Sequence, residues 1–430
     1  MTDRQDIHRT LDQIVGPEQA ASPDRAASPE QSANPDQAAA PVGPTTPFPE
    51  LHPVGAPATA DAHGIRPIGS VRPVDGVYAR APMTVYWEMT LACALACRHC
   101  RARAWNRPAP GELTTGQGVA LLDDIAGFGD PLPHLILTGG DPMRRADLLD
   151  LMAEARARRI GVSLSPAVTP DLTRHRLAEV QAAGCRAVSL SLDGSTAARH
   201  DGLRRVPGTF DLTMRALDDA AALGLPVQVN TLVTADTLAD MPAISAVLAR
   251  RGIQRWTLFF LVKTGRGGVL EEISPQESER LLRWLDGLRG EVPFQVSTTE
   301  ALHFRRVAAQ RMEARGMTRA EIGVAPLARS FGVRDGNGIV FVSHVGDVTP
   351  SGFLPVTLGN VTRESLVDLY RDHALMRALR DPARFGGDCG VCEYNRWCGG
   401  SRSRAYAATG DPLAADPLCA YRPLAARGAA

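Results

Sequence analysis

Lysine is all but missing from this chain: Lys263 is the single example among 47 Lys and Arg residues. Arginine therefore carries the positive charge, and 47 Asp and Glu balance it to a formal net charge of zero. With no basic block beyond scattered Arg, the chain has no electrostatic footprint for nucleic acid. It also lacks any apolar run near the roughly 20 residues that a membrane span requires. The N-terminal MTDRQDIHRTLDQIVG has no apolar core of the kind a secretory signal carries. These absences point to a cytoplasmic protein with neither a membrane nor a nucleic acid as partner. In that compartment eight Cys are read as metal ligands or buried thiols, not disulfides.

What is present is enough for one large α/β domain and a smaller appendage: 430 residues, 44% hydrophobic and 22% charged. Residues 1–75 form a Pro/Ala-rich segment in which Pro23, Pro29, Pro35 and Pro41 recur at a fixed interval. Such a tract buries too little apolar surface to offset chain entropy, so it is expected to be unfolded. It reads as a solvated leader or as a docking tail.

From about residue 76 to 270 the pattern alternates strand and helix. Strands are expected at 83–90, 134–138, 161–165, 187–192, 226–233 and 255–262, with helices near 115–127, 144–158, 172–183, 209–223 and 237–251. Six βα repeats predict a parallel sheet curled into a partial (β/α)6, TIM-like barrel; a flat, doubly wound sheet is the alternative. In barrels, chemistry gathers at the C-terminal ends of the strands. Residues 271–333 read as a helical connector. The stretch GNGIVFVSHVGDVTPSG follows as a hairpin turning at Val345-Gly346. The tail from Gly386 is rich in Cys and Gly and has little core of its own, so it calls for a metal staple.

Cys93, Cys97 and Cys100 fall just after the first expected strand. Three thiolates in one short loop suit a four-iron cluster with one iron left open, the vacancy that a chelating co-substrate needs. Zinc, or buried structural thiols, are the competing readings; zinc takes four ligands, and only His99 lies nearby as a fourth. Cys389, Cys392, Cys398 and Cys419 supply a second set of four, enough for a complete [4Fe–4S] cluster or for a structural zinc. Cys185 matches neither set and reads as a buried free thiol.

The Cys-x3-Cys-x2-Cys loop resembles the signature of the radical S-adenosylmethionine (SAM) superfamily, over a core of about residues 83–264. That resemblance implies a SAM-binding [4Fe–4S] cluster on Cys93, Cys97 and Cys100 and a 5′-deoxyadenosyl radical that abstracts hydrogen from a substrate. It further implies SAM contacts from Gly139, Gly140, Asp141 and Pro142, with Asp where the family's motif has Glu. Ser163 and Ser165 match its ribose-binding strand, and Ser189, Ser191, Asp193 and Asn230 are softer candidates that would equally serve as core or turn residues. An electron donor such as ferredoxin or flavodoxin is the implied partner.

Residues 334–430 resemble the SPASM/Twitch auxiliary-cluster extension of that superfamily. Cys389, Cys392, Cys398 and Cys419 match one of its clusters. Ligand positions of the other fall at Ser351 and, past Cys398, at Arg402, so a single auxiliary [4Fe–4S] cluster is expected. The segment CEYNRWCGGSRSRAYAATGDPLAADPLC is similar to the branch that contains heme b synthase and relatives in heme and peptide-cofactor maturation. The implied substrate is a porphyrin propionate undergoing oxidative decarboxylation, or else a ribosomally made peptide. Arg402 and Arg404 would hold substrate carboxylates or be solvated. A non-catalytic iron–sulfur, SAM-binding sensor is the reading from another class.

Overall fold

The computed structural model describes residues 77–427; the Pro/Ala-rich leader lies outside the described residues. One helical turn, α1 (Val77–Arg80), precedes an alternation of β1 (Thr84–Glu88), α2 (Thr115–Ala126), β2 (His134–Thr138), α3 (Leu148–Ala157), β3 (Val162–Leu164), α4 (Arg174–Ala182) and β4 (Cys185–Ser191). It continues through α5 (Ala197–Arg204), α6 (Thr209–Ala222), β5 (Val227–Val233), α7 (Met241–Leu248) and β6 (Arg255–Phe260). All six strands expected from the sequence are present. Local chemistry starts the helices where it should: Thr114 and Gln117 close a reciprocal capping box on α2.

The sheet runs, in order, β11 (Gly359–Asn360), β10 (Asp347–Thr349), β9 (Gly338–Val342), β1, β2, β3, β4, β5, β6 and β7 (Gln295–Thr299), and β1 through β7 are parallel neighbours. Strand alternation sorts its two faces. Val85, Trp87, Leu135, Leu137, Val188, Leu190, Val229, Trp256 and Leu258 point to the helix layer and are fully or almost fully buried there with Leu121, Leu122 and Leu151. The alternating set on the other face, Tyr86, Ser189, Ser191, Asn230, Phe259, Ile339 and Phe341, lines one cavity. Side chains from strands so far apart in the sheet order surround one space only if the sheet is curled, so this is the partial barrel and not the flat alternative.

The sequence reading missed two pairings. The supposed helical connector does hold α8 (Pro275–Leu288), α9 (Phe304–Ala314) and α10 (Arg319–Val324), but also β7 (Gln295–Thr299), which extends the parallel sheet beside β6. Its sequence QVSTT offers only half-buried faces and so little apolar signal. The hairpin of β9 (Gly338–Val342) and β10 (Asp347–Thr349) is not a separate appendage: β9 pairs in parallel with β1, Thr84 opposite Ile339, and satisfies an edge that would otherwise be bare. β8 (Arg334–Asp335) and β11 (Gly359–Asn360) are short additions to this end of the sheet. α11 (Leu366–Asp372), α12 (Ala374–Arg380), α13 (Gly387–Val391), α14 (Arg402–Thr409) and α15 (Leu424–Arg427) complete the chain. A small second core of Ala309, Ile322, Ala328, Phe331 and Tyr394, with Trp397 and Tyr421 against it, ties the Cys-rich tail to α9 and α10. Among the described residues no helix is long and apolar enough to cross a membrane.

Candidate active site and second cysteine centre

A cavity of about 340 Å³ opens at the C-terminal ends of the strands, with Cys93, Cys97 and Cys100 in its wall. The loop that carries them is pinned from several sides. Arg266 donates from Nε to the Cys97 carbonyl at 2.9 Å and from Nη1 to the Ala104 carbonyl at 2.8 Å. Glu112 accepts from Leu91 N at 2.9 Å and Thr90 Oγ at 2.8 Å. Each sulfur also receives one N–H: Leu95 N to Cys93 at 3.3 Å, Ala104 N to Cys100 at 3.4 Å, and Arg204 Nη1 to Cys97 at 3.6 Å. Donors aimed at sulfur favour thiolates, which is what a metal cluster takes. Burial, with Asp141, Cys97 and Cys100 adding, pushes the Cys93 thiol up to about 11, and a cationic partner such as cluster iron would favour its thiolate form. The residues present therefore fit a three-thiolate cluster.

Gly139 and Gly140 line the same cavity, and their lack of a side chain has a specific reason. A Cβ on Gly139, whose φ is 145°, would stand 2.5 Å from the Thr90 carbonyl oxygen, and one on Gly140 2.5 Å from that of Ala92. Gly140 N and Asp141 N donate to those two carbonyls at 2.7 Å. The glycine pair thus lets the β2 end lie against the start of the cysteine loop; close approach to a ligand is not what forbids a side chain. Asp141 turns inward: its carboxylate accepts from Met143 N at 3.1 Å and Ala167 N at 3.3 Å. Burial lifts its carboxyl to about 6. Pro142 is buried at the start of the next turn, and neither residue lines the cavity.

Ser165, Ser189, Ser191, Asp193 and Asn230 all face the cavity. Ser163 does not: it sits a layer deeper on β3, where its hydroxyl pairs with His134 Nε2 at 2.8 Å. Asn230 accepts from Gln228 Nε2 at 2.8 Å. Asp193 is bound on all sides, by Leu232 N at 2.7 Å, by the Arg204 guanidinium, and through its own N–H to His200 Nδ1 at 3.1 Å. Burial opposes its charge, but Arg204 holds the carboxyl below its ordinary value. Arg204 and His200 come from α5, the helix that the sequence reading did not anticipate. Its polar sequence AARHDGLR carries no apolar periodicity to announce it.

The second set of thiols also converges. Cys389, Cys392, Cys398 and Cys419 line a separate cavity of about 250 Å³. Sulfur is again a target for donors: Gly400 N to Cys398 at 3.4 Å, Asp416 N and Arg402 Nη2 to Cys389 at 3.4 and 3.5 Å, and Arg306 Nη2 to Cys419 at 3.8 Å. Burial drives the Cys419 thiol up to about 11 and raises the Cys398 thiol as well. Among the described residues no three His, Cys, Asp or Glu side chains converge as they would on one metal ion. Four thiols lining one cavity are a donor set that fits a four-iron cluster.

Arg402 and Arg404 are neither solvated nor turned toward a substrate. Both are buried: Arg402 donates to the Pro412 and Ala414 carbonyls, and Arg404 to Glu272 Oε1 at 2.9 Å and to the Glu300 and Leu261 carbonyls. Ser351 lines the first cavity, with its hydroxyl 3.2 Å from Ser403 Oγ, and Ser403 donates to Asp335. A buried polar chain thus joins Ser351, Ser403 and Asp335. Glu300, also at the cavity wall, accepts from the Ser401 hydroxyl; burial, with Asp335 adding, raises its carboxyl to about 8. Cys185 is a buried thiol that donates to the Ala187 carbonyl.

The model of the radical SAM superfamily matches residues 87–244. The chain is 37% identical over 364 residues to the AdoMet-dependent heme synthase of Nitratidesulfovibrio vulgaris, covering 84% of this chain and 96% of that one. It is 36% identical to the AdoMet-dependent heme synthase of Methanosarcina barkeri, over 80% of this chain and 97% of the other. Among solved structures, Streptococcus suis SuiB bound to S-adenosylmethionine superposes with a TM-score of 0.61 at 16% identity, covering 79% of this chain and 77% of SuiB. This last likeness is one of fold.

Proposed function

Because the chain belongs to the radical SAM superfamily, we propose that it is a heme-synthase-like enzyme that oxidatively decarboxylates propionate side chains of an iron porphyrin. Cys93, Cys97 and Cys100 would hold the SAM-binding cluster, and Cys389, Cys392, Cys398 and Cys419 an auxiliary one. When bound, these groups supply the reductive cleavage of SAM to a 5′-deoxyadenosyl radical and a one-electron acceptor. Conversion of a propionate to a vinyl group releases CO2 and gives up one hydrogen atom and one electron, so a second redox centre has a chemical purpose.

The observation that carries this reading is the shape of the first cavity. The cysteine loop and aromatic rings from Tyr86, Phe259, Phe341 and Phe353 line one and the same space. Flat aromatic walls suit a macrocycle. Arg101 enters the same space, its guanidinium 4.6 Å from the Phe341 ring centroid and anchored to Glu88 at 2.7 Å. The chain's own residues bind, orient and exclude water: Arg101 offers a cation beside an aromatic platform, and Phe353 adds a further ring to the wall. The similarity to heme synthases along nearly their whole length supports the same substrate class.

The test is turnover. Anaerobically reconstituted protein with SAM, a low-potential reductant and iron-coproporphyrin III should yield heme b, CO2 and 5′-deoxyadenosine. If SAM is cleaved but the porphyrin is recovered unchanged, the substrate assignment is wrong while the superfamily chemistry stands.

A further inference from the structure

Four buried side-chain nitrogens among the described residues have no hydrogen-bond partner: Trp87 Nε1, His99 Nδ1, Arg204 Nε and His303 Nδ1. His99 and Arg204 belong to the first cavity, and Trp87 faces the helix layer. His303 stands apart. It is 1% exposed and lines the second cavity together with the four thiols. A buried polar atom without a partner is costly enough to demand an explanation.

The proton on this ring can be located. His303 Nε2 lies 2.8 Å from Ser278 Oγ. On the other side, Asp416 Oδ2 lies 3.9 Å from Nδ1, too far to accept a hydrogen bond but close enough to favour an N–H there. Asp416 is itself paired with Arg404, whose Nη1 lies 3.5 Å from Oδ1. A neutral imidazole therefore carries its hydrogen on Nδ1, with the Ser278 hydroxyl donating to Nε2. Nδ1–H then has no partner among the described residues, on a ring that lines the cavity of the four thiols. Arg306 and Arg402 turn guanidinium N–H groups toward Cys419 and Cys389 in the same space.

We propose that His303 is a potential-setting residue, its Nδ1–H donating to a sulfur of the four-iron cluster that Cys389, Cys392, Cys398 and Cys419 hold, alongside Arg306 and Arg402. The inference rests on the four-iron reading of this cavity. Hydrogen bonds and positive charge at cluster sulfur stabilise the more negative, reduced form and so raise the reduction potential. That direction makes the centre an electron acceptor, as an oxidative decarboxylation requires.

The experiment uses the full chain with Cys93, Cys97 and Cys100 replaced by Ala, so that only the second centre contributes. Iron, sulfide and zinc are counted, and the midpoint potential is read by electron paramagnetic resonance during a redox titration. His303→Phe removes the donor at similar size; the cluster should become about tenfold harder to reduce, a fall of about 59 mV for one electron. His303→Asn keeps an N–H near the place of Nδ1 and should restore most of that shift. If His303→Phe fails to hold iron, Arg306→Lys carries the test: it keeps the charge, shortens the reach to Cys419, and should move the potential in the same direction. Unchanged potentials in variants that retain four irons overturn the proposal. Zinc in place of iron overturns it together with the four-iron reading, and the metal count tells the two failures apart.

Discussion

Arg204 links a carboxylate to a cluster-ligand candidate: its guanidinium pairs with Asp193 and places Nη1 3.6 Å from Cys97 Sγ. Both partners are buried, as is Arg204 itself apart from a tenth of its side chain. Burial opposes its charge, yet Asp193 and Cys97 keep its pKa above the ordinary value. Removing one member of such a pair strands the other charge. Arg204→Ala should therefore cost about 3–5 kcal/mol, read as a fall in the thermal midpoint, and should lower the iron retained after reconstitution. Arg204→Lys should lie between it and the wild type.

Two ligand sets predict about eight irons and eight sulfides per chain after anaerobic reconstitution. Joint replacement of Cys93, Cys97 and Cys100 by Ala should leave about half. Cys392→Ala should still release 5′-deoxyadenosine from SAM while porphyrin conversion falls steeply, with circular dichroism used first to exclude misfolding. Loss of all SAM cleavage in a Cys392→Ala protein whose first cluster is spectroscopically intact would falsify the division of labour between the two centres.

Gly140→Ala tests the close approach behind the cysteine loop. The new methyl would meet the carbonyl oxygens of Ala92 and Leu91 at 2.5 and 2.6 Å, and backbone cannot swing aside as a side-chain tip can. About 1–3 kcal/mol of overpacking strain is expected, with iron lost from the first site. Gly202→Ala, on α5 with nothing within 4 Å of its added methyl, is the control and should load iron like the wild type.

Glu300 makes stability depend on pH. Its carboxyl is lifted from an ordinary 4.5 to about 8, first by burial and then by Asp335. Between those values the folded state keeps a proton that the unfolded chain has lost, so this contribution is complete below about 4.5 and disappears as pH rises through 8. The thermal midpoint of the wild type should drop between pH 6 and pH 8.5. Glu300→Gln, which stays neutral, should flatten that drop. Equal slopes for the two proteins would remove Glu300 as the cause.

Much of this was legible because the informative residues are local in sequence. Cys93, Cys97 and Cys100 share one loop, and the six β-rich runs carry Val, Ile and Leu on the face that meets the helices. What escaped depends on distance along the chain. Nothing near Cys97 announces Arg204, because α5 is polar and its role is set by burial beside Asp193. His303, which precedes α9, and Arg306, in its first turn, reach the second thiol set from far upstream of Cys389. Ser163 and Ser165 differ by only two positions, yet one meets His134 and the other the cavity; depth along a barrel strand is invisible to a period-two pattern. Arg402 and Arg404 read as substrate-binding or solvated charge because composition says nothing of which carbonyls will surround a guanidinium.

The parallel pairing of β9 with β1 has a consequence for biosynthesis. Glu88, at the end of β1, accepts its partner His344 from 256 residues downstream. At ribosomal speeds of about 5–20 residues per second, that interval lasts about ten to fifty seconds. For nearly all of it the cysteine loop is already made, but the strand that walls the cavity with Ile339 and Phe341 has yet to be translated. Nascent chains thus hold three thiols on an incomplete rim, open to solvent and oxidants. The finished wall of the cavity is available to a metal only once β9 has been made and has paired with β1.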